Sequence, residues 1–220
     1  MRNLKIITHL FLFIIAFALS TCKLSKENRQ TVYENNFDTG DITHLSNTKI
    51  STFNQRKVLG NFNNDGFELL LNQIPAHDLV EISFDLYIHD TWDGNKASNG
   101  IGGPDIWEMQ IDGSPYIYTT FSNADCFDGF CSPQSYPDNY PNNKHNPKSG
   151  ASSLLLPGFC LLATKPGGST LYKIKKTINH HKSSLALQCI DHLIQTNATS
   201  PICDESWSID NLKIVSIQLN

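Results

Sequence analysis

Loops rich in aspartate, asparagine and glycine carry the side chains of this chain that are best suited to chemistry. The longest of these loops runs from HDTWDGN to GGPDIW and contains Asp90, Asp93, Asn95 and Asp105. Carboxylate and amide oxygens are the ligands that calcium prefers, and the ion takes about six to eight of them. We therefore expect these four residues to bind a calcium ion, with ordinary turn formation as the alternative, because Asp and Asn are also common turn residues.

Two further acidic segments lie near the ends of the chain. The segment NNFDTGD contains Asp38, and the segment DESWSIDNLKI contains Asp210. The first and last strands of many β-sandwiches are neighbours. Asp38 and Asp210 are therefore expected to share one ion.

Aromatic residues near these loops are candidates for ligand binding. Trp92 lies in the HDTWDGN loop and is able to stack on a sugar ring. For Trp207 the alternatives are stacking on a sugar ring and packing in the core. Tyr136 and Tyr140 belong to QSYPDNYP, within an unpatterned stretch over residues 124–152. Loops of that length are uncommon unless they bind something or are disordered. We take the two tryptophans and two tyrosines as the candidate ligand-binding residues.

Catalytic motifs are absent from the sequence. It contains no G-x-S-x-G, H-E-x-x-H, P-loop or dinucleotide-binding pattern. The remaining candidates are the paired carboxylates Asp93 with Asp105 and Asp204 with Glu205, and a glycosidase needs two carboxyls at a defined separation. Adjacent residues of a strand point to opposite faces, which disfavours Asp204 with Glu205. The sequence favours a non-catalytic protein with no catalytic residue, and a glycan-acting hydrolase is the alternative.

Residues 1–21 have the layout of an export signal. Arg2 and Lys5 precede an apolar run, Ile6–Leu19. This run is shorter than the stretch of about 20 residues that crosses a bilayer. The pattern predicts a signal peptide and therefore export.

The signal ends in LSTC, which resembles the motif at which bacterial lipoproteins receive lipid. Lipid on Cys22 would anchor the protein to a membrane. We expect a lipid-anchored polar tether over residues 22–32 and a location in the cell envelope or at the cell surface, with a secreted soluble protein as the alternative.

Five cysteines follow the signal segment, so at least one has no intramolecular partner. Cys126 and Cys131 in CFDGFC are close enough in sequence to close a small loop. Cys189 is expected to pair with Cys203 if their strands are neighbours. Cys160 lies in an apolar run and is expected to be a buried thiol.

Strict alternation of apolar and polar residues indicates strands. It is clearest in VEISFDLYI, where every second residue from Val80 to Ile88 is apolar. Further strands are expected at Phe67–Leu71, Trp107–Ile111, Ile117–Phe121, Tyr172–Ile178, Leu185–Cys189 and Leu212–Leu219. Many short strands between turn-rich segments predict an all-β fold, a single antiparallel β-sandwich over residues 33–220.

The charge of the chain excludes one class of partner. The net charge is −4, and no basic stripe is present. Nucleic-acid binding proteins carry a basic footprint. We therefore expect no nucleic-acid partner.

Six sequence islands resemble an uncharacterised extracellular domain of bacterial proteins. They are LGNFNNDGFELLL, VEISFDLYIHDTWDGN, GPDIWEMQIDG, TTFSN, QSYPDNYP and DESWSIDNLKI, and they span Phe37 to Ile217. The resemblance implies a jelly-roll sandwich of the lectin-like or galactose-binding-like kind. It also implies that HDTWDGN, GPDIW, SYPDNYP and DESW meet at one end of the sandwich.

These observations together predict a calcium-stabilised surface module that binds an extracellular glycan. A structural or adhesion protein that binds a surface protein is the alternative from another class. Lipid on Cys22 would make the membrane a further partner.

Overall fold

The computed structural model describes residues 27–96, 102–123, 126, 131–142, 144–196 and 198–220. The predicted signal peptide and Cys22, the predicted lipidation site, lie outside these residues. Within the described part of the chain, no helix is both long and apolar enough to cross a bilayer.

Two antiparallel sheets face each other. The seven-stranded sheet has the order β3 (Ile50–Phe53), β4 (Arg56–Phe62), β12 (Glu205–Leu219), β6 (Leu79–Asp90), β10 (Ser169–Asn179) and β9 (Ser153–Leu156), and β1 (Glu27–Asn35) also pairs with β12. The five-stranded sheet has the order β2 (Leu45–Ser46), β5 (Gly66–Asn72), β11 (Ser184–His192), β7 (Ile106–Ile111) and β8 (Ser114–Thr120). One helical turn, Pro201–Asp204, precedes β12. The predicted antiparallel β-sandwich of jelly-roll type is confirmed.

The predicted alternation of β6 determines which face of the strand enters the core. Its apolar residues from Val80 to Ile88 are buried, while Glu81 and Asp85 point outward. Residues two apart share one face of a strand, so this pattern places a continuous apolar row between the sheets. Trp107 and Trp207 meet edge to face in the same core, with ring centroids 5.7 Å apart.

The first described strand corrects the predicted tether. β1 begins at Glu27 and pairs with the C-terminal half of β12. Residues 27–32 therefore belong to the sheet, and the tether predicted over residues 22–32 cannot include them. The pairing also makes the first and last described strands neighbours, as expected.

Five strands were not predicted from the sequence, namely β1, β2, β3, β4 and β9. The turn between β3 and β4 contains Asn54 and Gln55, both with positive φ angles of 45° and 68°. Two consecutive residues with positive φ are typical of a type I′ hairpin turn. Glycine usually marks this turn, and its absence here left the hairpin without a clear sequence signal.

Candidate functional site

The acidic loops meet at one end of the sandwich, as the resemblance implied. Thr91 Oγ1 donates a hydrogen bond of 2.8 Å to the Asp204 carboxylate, which links the loop after β6 to the segment before β12. Asn95 Nδ2 donates to the Asn142 carbonyl at 2.8 Å, which links the same loop to the SYPDNYP segment. This end of the molecule therefore holds the sequence-predicted calcium ligands, although their roles differ.

Asp90 and Asn95 already have hydrogen-bond partners in the protein, and their role as calcium ligands stays a prediction. The Asp90 carboxylate accepts hydrogen bonds from the backbone amides of Cys160 at 3.2 Å and Leu162 at 2.8 Å. The Asn95 amide oxygen accepts from the hydroxyls of Thr120 at 2.7 Å and Ser135 at 2.9 Å. Both side chains organise loops, and their oxygens face protein donors.

Asp38 and Asp210 are close to one cation, but that cation is an arginine. The Arg56 guanidinium lies 3.6 Å from the Asp38 carboxylate and 3.3 Å from the Asp210 carboxylate. Arg56 thus supplies a positive charge between the two aspartates, and a calcium ion shared by them stays a prediction.

Asp105 and Glu205 are two acidic residues whose carboxyl groups are buried and only partly hydrogen-bonded. Both side chains have zero exposure. Asp105 Oδ2 accepts from the Asp93 amide, and Glu205 Oε1 accepts from Gln195 Nε2 at 2.8 Å. The second oxygen of each carboxyl has no hydrogen-bond partner. A buried anion without compensation is costly, so this arrangement requires either a proton or a cation.

The electrostatics agree with this requirement. Burial is the main cause that raises the pKa of both Asp105 and Glu205 above the ordinary carboxyl range. The negative charges of Asp105, Asp93 and Asp204 raise the pKa of Glu205 further. Asp93 has a partner of its own, the Lys96 ammonium at 3.7 Å. Asp105 and Glu205 are thus carboxyls of this end that have no cationic partner among the described residues and that favour a proton.

Gln195 and Gly102 complete this acidic end. A Cβ atom at Gly102 would lie 2.7 Å from Asp93 Oδ2 and 3.9 Å from Gln195 Oε1. A side chain at this position would therefore displace the Asp93 carboxylate. Across the described ranges, no three His, Cys, Asp or Glu side chains form a ready metal cluster. An ion held here would need amide or carbonyl oxygens beside the two buried carboxyls.

The cysteine bridges differ in part from prediction. Cys126 and Cys131 form the predicted bridge. Cys203 pairs with Cys160, while Cys189 is a buried free thiol, so the predicted Cys189–Cys203 bridge is wrong. Cys189 lies on β11 of the five-stranded sheet, whereas Cys203 directly precedes β12 of the other sheet. Sheets pack about 10 Å apart, which exceeds the reach of a disulfide.

The two tryptophans proposed as ligand-binding residues are core residues. Trp92 and Trp207 both have zero exposure. Their indole Nε1 groups donate to the Ser206 carbonyl at 2.9 Å and to the Asp191 carboxylate at 2.8 Å, respectively. A fully buried ring offers no face to a sugar, so the prediction is wrong for both residues.

A surface cleft between the two sheets is lined by two partly buried tyrosines. It has a volume of about 280 Å³ and is lined by Tyr116, Ile117, Tyr136, Pro137, Asp138, Asn139, Ile174, Lys175 and Lys176. One wall is β8 with the SYPDNYP segment, and the opposite wall is β10. Other clefts of comparable size lie elsewhere, but this cleft combines two tyrosines with polar side chains.

Tyr136 is a rigid part of this cleft. Its ring packs against Phe121 and Tyr172, with centroid distances of 4.9 and 5.1 Å. The Tyr136 amide donates to the Thr120 carbonyl, and the Tyr140 amide donates to the Tyr118 carbonyl, so the segment adds to the free edge of β8. Tyr140 does not line the cleft. Its ring contacts Tyr118 at 6.3 Å.

The candidate catalytic groups are poorly placed for an extended glycan. Asp105 and Glu205 are fully buried, so each predicted carboxylate pair contains one member that solvent does not reach. His89 lies between the hydroxyls of Ser169 at 2.8 Å and Ser208 at 2.7 Å. It is also fully buried, and burial lowers its pKa to about 3, which keeps the ring neutral.

The rings of Phe53 and Phe159 pack against His89, with centroid distances of 4.5 and 5.1 Å. This histidine is therefore a structural group of the outer face of the seven-stranded sheet.

Comparisons with known proteins add limited information. No protein-family model and no curated protein matches the sequence. A family 35 carbohydrate-binding module from Clostridium thermocellum has 11% identity over 77% of this chain and 88% of that chain, with a TM-score of 0.34. The module CBM6cm-2 from Cellvibrio mixtus lichenase 5A, solved in complex with cellotriose, has 11% identity over 84% and 97%, with a TM-score of 0.35.

A third solved structure, latent PorU from Porphyromonas gingivalis, has 6% identity over 89% of this chain and 13% of that chain, with a TM-score of 0.38. These likenesses are weak. The function therefore has to be argued from the residues of this chain.

Sequence reasoning missed Tyr116 and Lys176 as cleft residues and did not place Glu205 beside Asp105. Tyr116 lies in a strand whose irregular pairing with β7 obscures the alternation. Lys176 occupies a position in the apolar row of β10. A charged residue at such a position was the sequence signal that identifies it as a candidate binding residue.

Proposed function

We propose that this chain is a non-catalytic module, displayed at the cell surface, that binds carbohydrate in the cleft between Tyr116 and Tyr136. The observation that carries the proposal is a pre-formed cleft in which aromatic rings lie beside carboxylate, amide and ammonium groups. Aromatic rings stack on the apolar faces of sugars, and polar groups at the rim bind hydroxyls.

The size of the cleft favours a sugar over a protein partner. A stable protein interface buries about 800 Å² on each partner. A cleft of about 280 Å³ instead matches the lower end of small-ligand sites. We therefore place one or two residues of a glycan in the cleft, with the adhesion function as the second candidate.

Substitution of Tyr116 tests this proposal. Tyr116→Ala should weaken binding about tenfold, because it removes stacking worth about 1.5 kcal/mol. A glycan array identifies the ligand, and titration calorimetry on the best ligand measures the loss.

Tyr118→Ala is the matched control, since Tyr118 lies two residues away and does not line the cleft. It should bind as the wild type does. Equal losses in both variants, or no glycan bound by the wild type, would reject the cleft as the binding site.

We also propose that calcium stabilises this module through Asp105 and Glu205. Each of these buried carboxyls has one oxygen without a partner. Gln195, whose amide already contacts Glu205, is placed to contribute its amide oxygen. Calcium accepts such mixed sets of carboxylate, amide and carbonyl oxygens. The ion would neutralise the two buried charges and would hold the ends of β7, β11 and β12 together.

The leader supports attachment to a membrane through Cys22. In a bacterial host that exports the chain, wild-type protein should incorporate a labelled fatty acid and sediment with membranes, because two or more acyl chains anchor a protein stably. Cys22→Ala should lose the label, and Cys189→Ala should retain it. Labelling of the Cys22→Ala protein would contradict the proposal.

A further inference from the structure

A lysine interrupts the core-facing row of β10 at the mouth of the tyrosine cleft. Lys176 lies between Ile174 and Ile178 in the alternation, and both isoleucines are buried. Its partner across the sheet is Ile82, which is fully buried. Cross-strand partners share one face of a sheet, so Lys176 is directed toward the interior side and not toward the outer face.

This lysine has no counter-ion among the described residues. The neighbouring Lys175 pairs with Glu81 at 3.0 Å, and Lys173 pairs with Asp85 at 3.3 Å. No carboxylate of the described chain pairs with Lys176 in the same way.

The one carboxylate that lines the cleft is already compensated. Asp138 contacts His145 Nε2 at 2.9 Å and the Lys144 ammonium at 3.7 Å. The cleft therefore offers a half-buried lysine whose ammonium has no carboxylate partner among the described residues. An ammonium without a counter-ion forms charge-assisted hydrogen bonds with an anionic ligand.

We propose that the cleft selects anionic sugars, with Lys176 binding the carboxylate or sulfate while Tyr116 and Tyr136 contact the ring. This inference rests on the proposed carbohydrate-binding function and names the ligand class of the same site. Asn139 lies at the rim, where its amide oxygen accepts from the Tyr118 backbone amide at 3.2 Å and fixes the position of the side chain. The arrangement thus combines a stacking surface, a fixed amide and one unneutralised cation.

Lys176 also lies on a free strand edge, because β9 pairs with β10 only near Ser169 and Leu171. Inward-pointing charges protect such edges from pairing with other chains. Edge protection and anion binding make different predictions, since edge protection by Lys176 does not require any preference among glycans.

The test compares matched ligands on the full chain by titration calorimetry. One arm uses oligogalacturonate against its methyl ester, and the other uses a sulfated galactan oligosaccharide against its desulfated form. Wild-type protein should bind the anionic member of at least one pair about tenfold more tightly, and salt should reduce this difference.

Lys176→Gln should abolish the preference for the anionic member, and Lys176→Arg should restore it. Lys173→Gln is the control, because Lys173 pairs with Asp85 at 3.3 Å and does not line the cleft. If the wild type bound charged and neutral members equally well, the preference for anionic sugars would be overturned. Binding that still depended on Tyr116 would then support the carbohydrate-binding function on its own. Equal losses at Lys173 and Lys176 would also overturn the preference, and no saccharide binding at all would reject both proposals.

Discussion

Replacing both buried carboxyls by their amides, Asp105→Asn with Glu205→Gln, should stabilise the calcium-free protein at pH 8 by about 2 kcal/mol, because neutral isosteres remove buried charge of the same sign. In the wild type, burial raises the pKa of both groups above the unfolded values near 4. The folded state then binds protons that the unfolded state has lost. The contribution of these two groups to the stability of the protein should therefore be highest below about pH 4. It should fall as the pH rises through their folded pKa values.

Calcium should reverse this loss in the wild type. At about one hundred times its Kd, a ligand that binds only the folded state adds about 2.7 kcal/mol. The effect should be larger at pH 8 than at pH 5, since protons compete for the same oxygens. The double variant should show no calcium response. Urea unfolding at both pH values, with chelator and with calcium, measures all four states.

The control removes two negative charges from exposed positions, Glu27→Gln with Glu34→Gln. The side chains of these residues are 46% and 61% exposed. This variant should retain the pH dependence and the calcium response of the wild type. A wild-type protein that binds no calcium and has the same stability in chelator would show that protons alone occupy the Asp105–Glu205 pair.

Removing the Cys160–Cys203 bridge should cost about 4 kcal/mol of unfolding free energy, the loop-closure value for its separation of 43 residues. The bridge ties the loop organised by Asp90 to the segment directly before Glu205. Its loss should therefore also weaken the response to calcium. Urea unfolding of the Cys160→Ser, Cys203→Ser double variant measures the loss of stability.

The second bridge provides the comparison. Cys126 and Cys131 are separated by 5 residues, so their replacement by serine should cost about 2 kcal/mol and should leave the calcium response intact. Equal costs for the two bridges, or a loss below about 1 kcal/mol for Cys160–Cys203, would contradict the inference that the Cys160–Cys203 disulfide stabilises the fold more than the Cys126–Cys131 disulfide.

The strands of the core were predictable because their signal is local. VEISFDLYI alternates without a break, and its five apolar residues all enter the core as β6. The bridge between Cys126 and Cys131 was predictable for the same reason, since the two residues are near neighbours in the chain. The short strands β2, β3 and β9 lack enough residues for an alternation to stand out, and β4 buries three consecutive residues and so does not alternate.

The roles of the loop residues were less predictable. Asp90, Asp93, Asn95 and Asp105 are similar in residue type, yet Asp90 binds backbone amides and Asn95 binds hydroxyls. Of the four, Asp105 alone has a buried oxygen without a partner. Which donors surround each oxygen depends on loops that are distant in sequence, so the residue type did not distinguish the four roles.

By itself, the sequence determined the all-β class, the core-facing rows and the gathering of acidic residues in a few loops, because apolar periodicity and turn composition act over a few neighbouring residues. Only the tertiary structure decided that Asp105 meets the charge of Glu205, that Arg56 lies between Asp38 and Asp210, and that Trp92 is buried. These outcomes depend on sheet order and strand register, which bring together residues far apart in the chain. Burial and counter-charge, which determine whether an acidic loop binds an ion, are properties of that assembly.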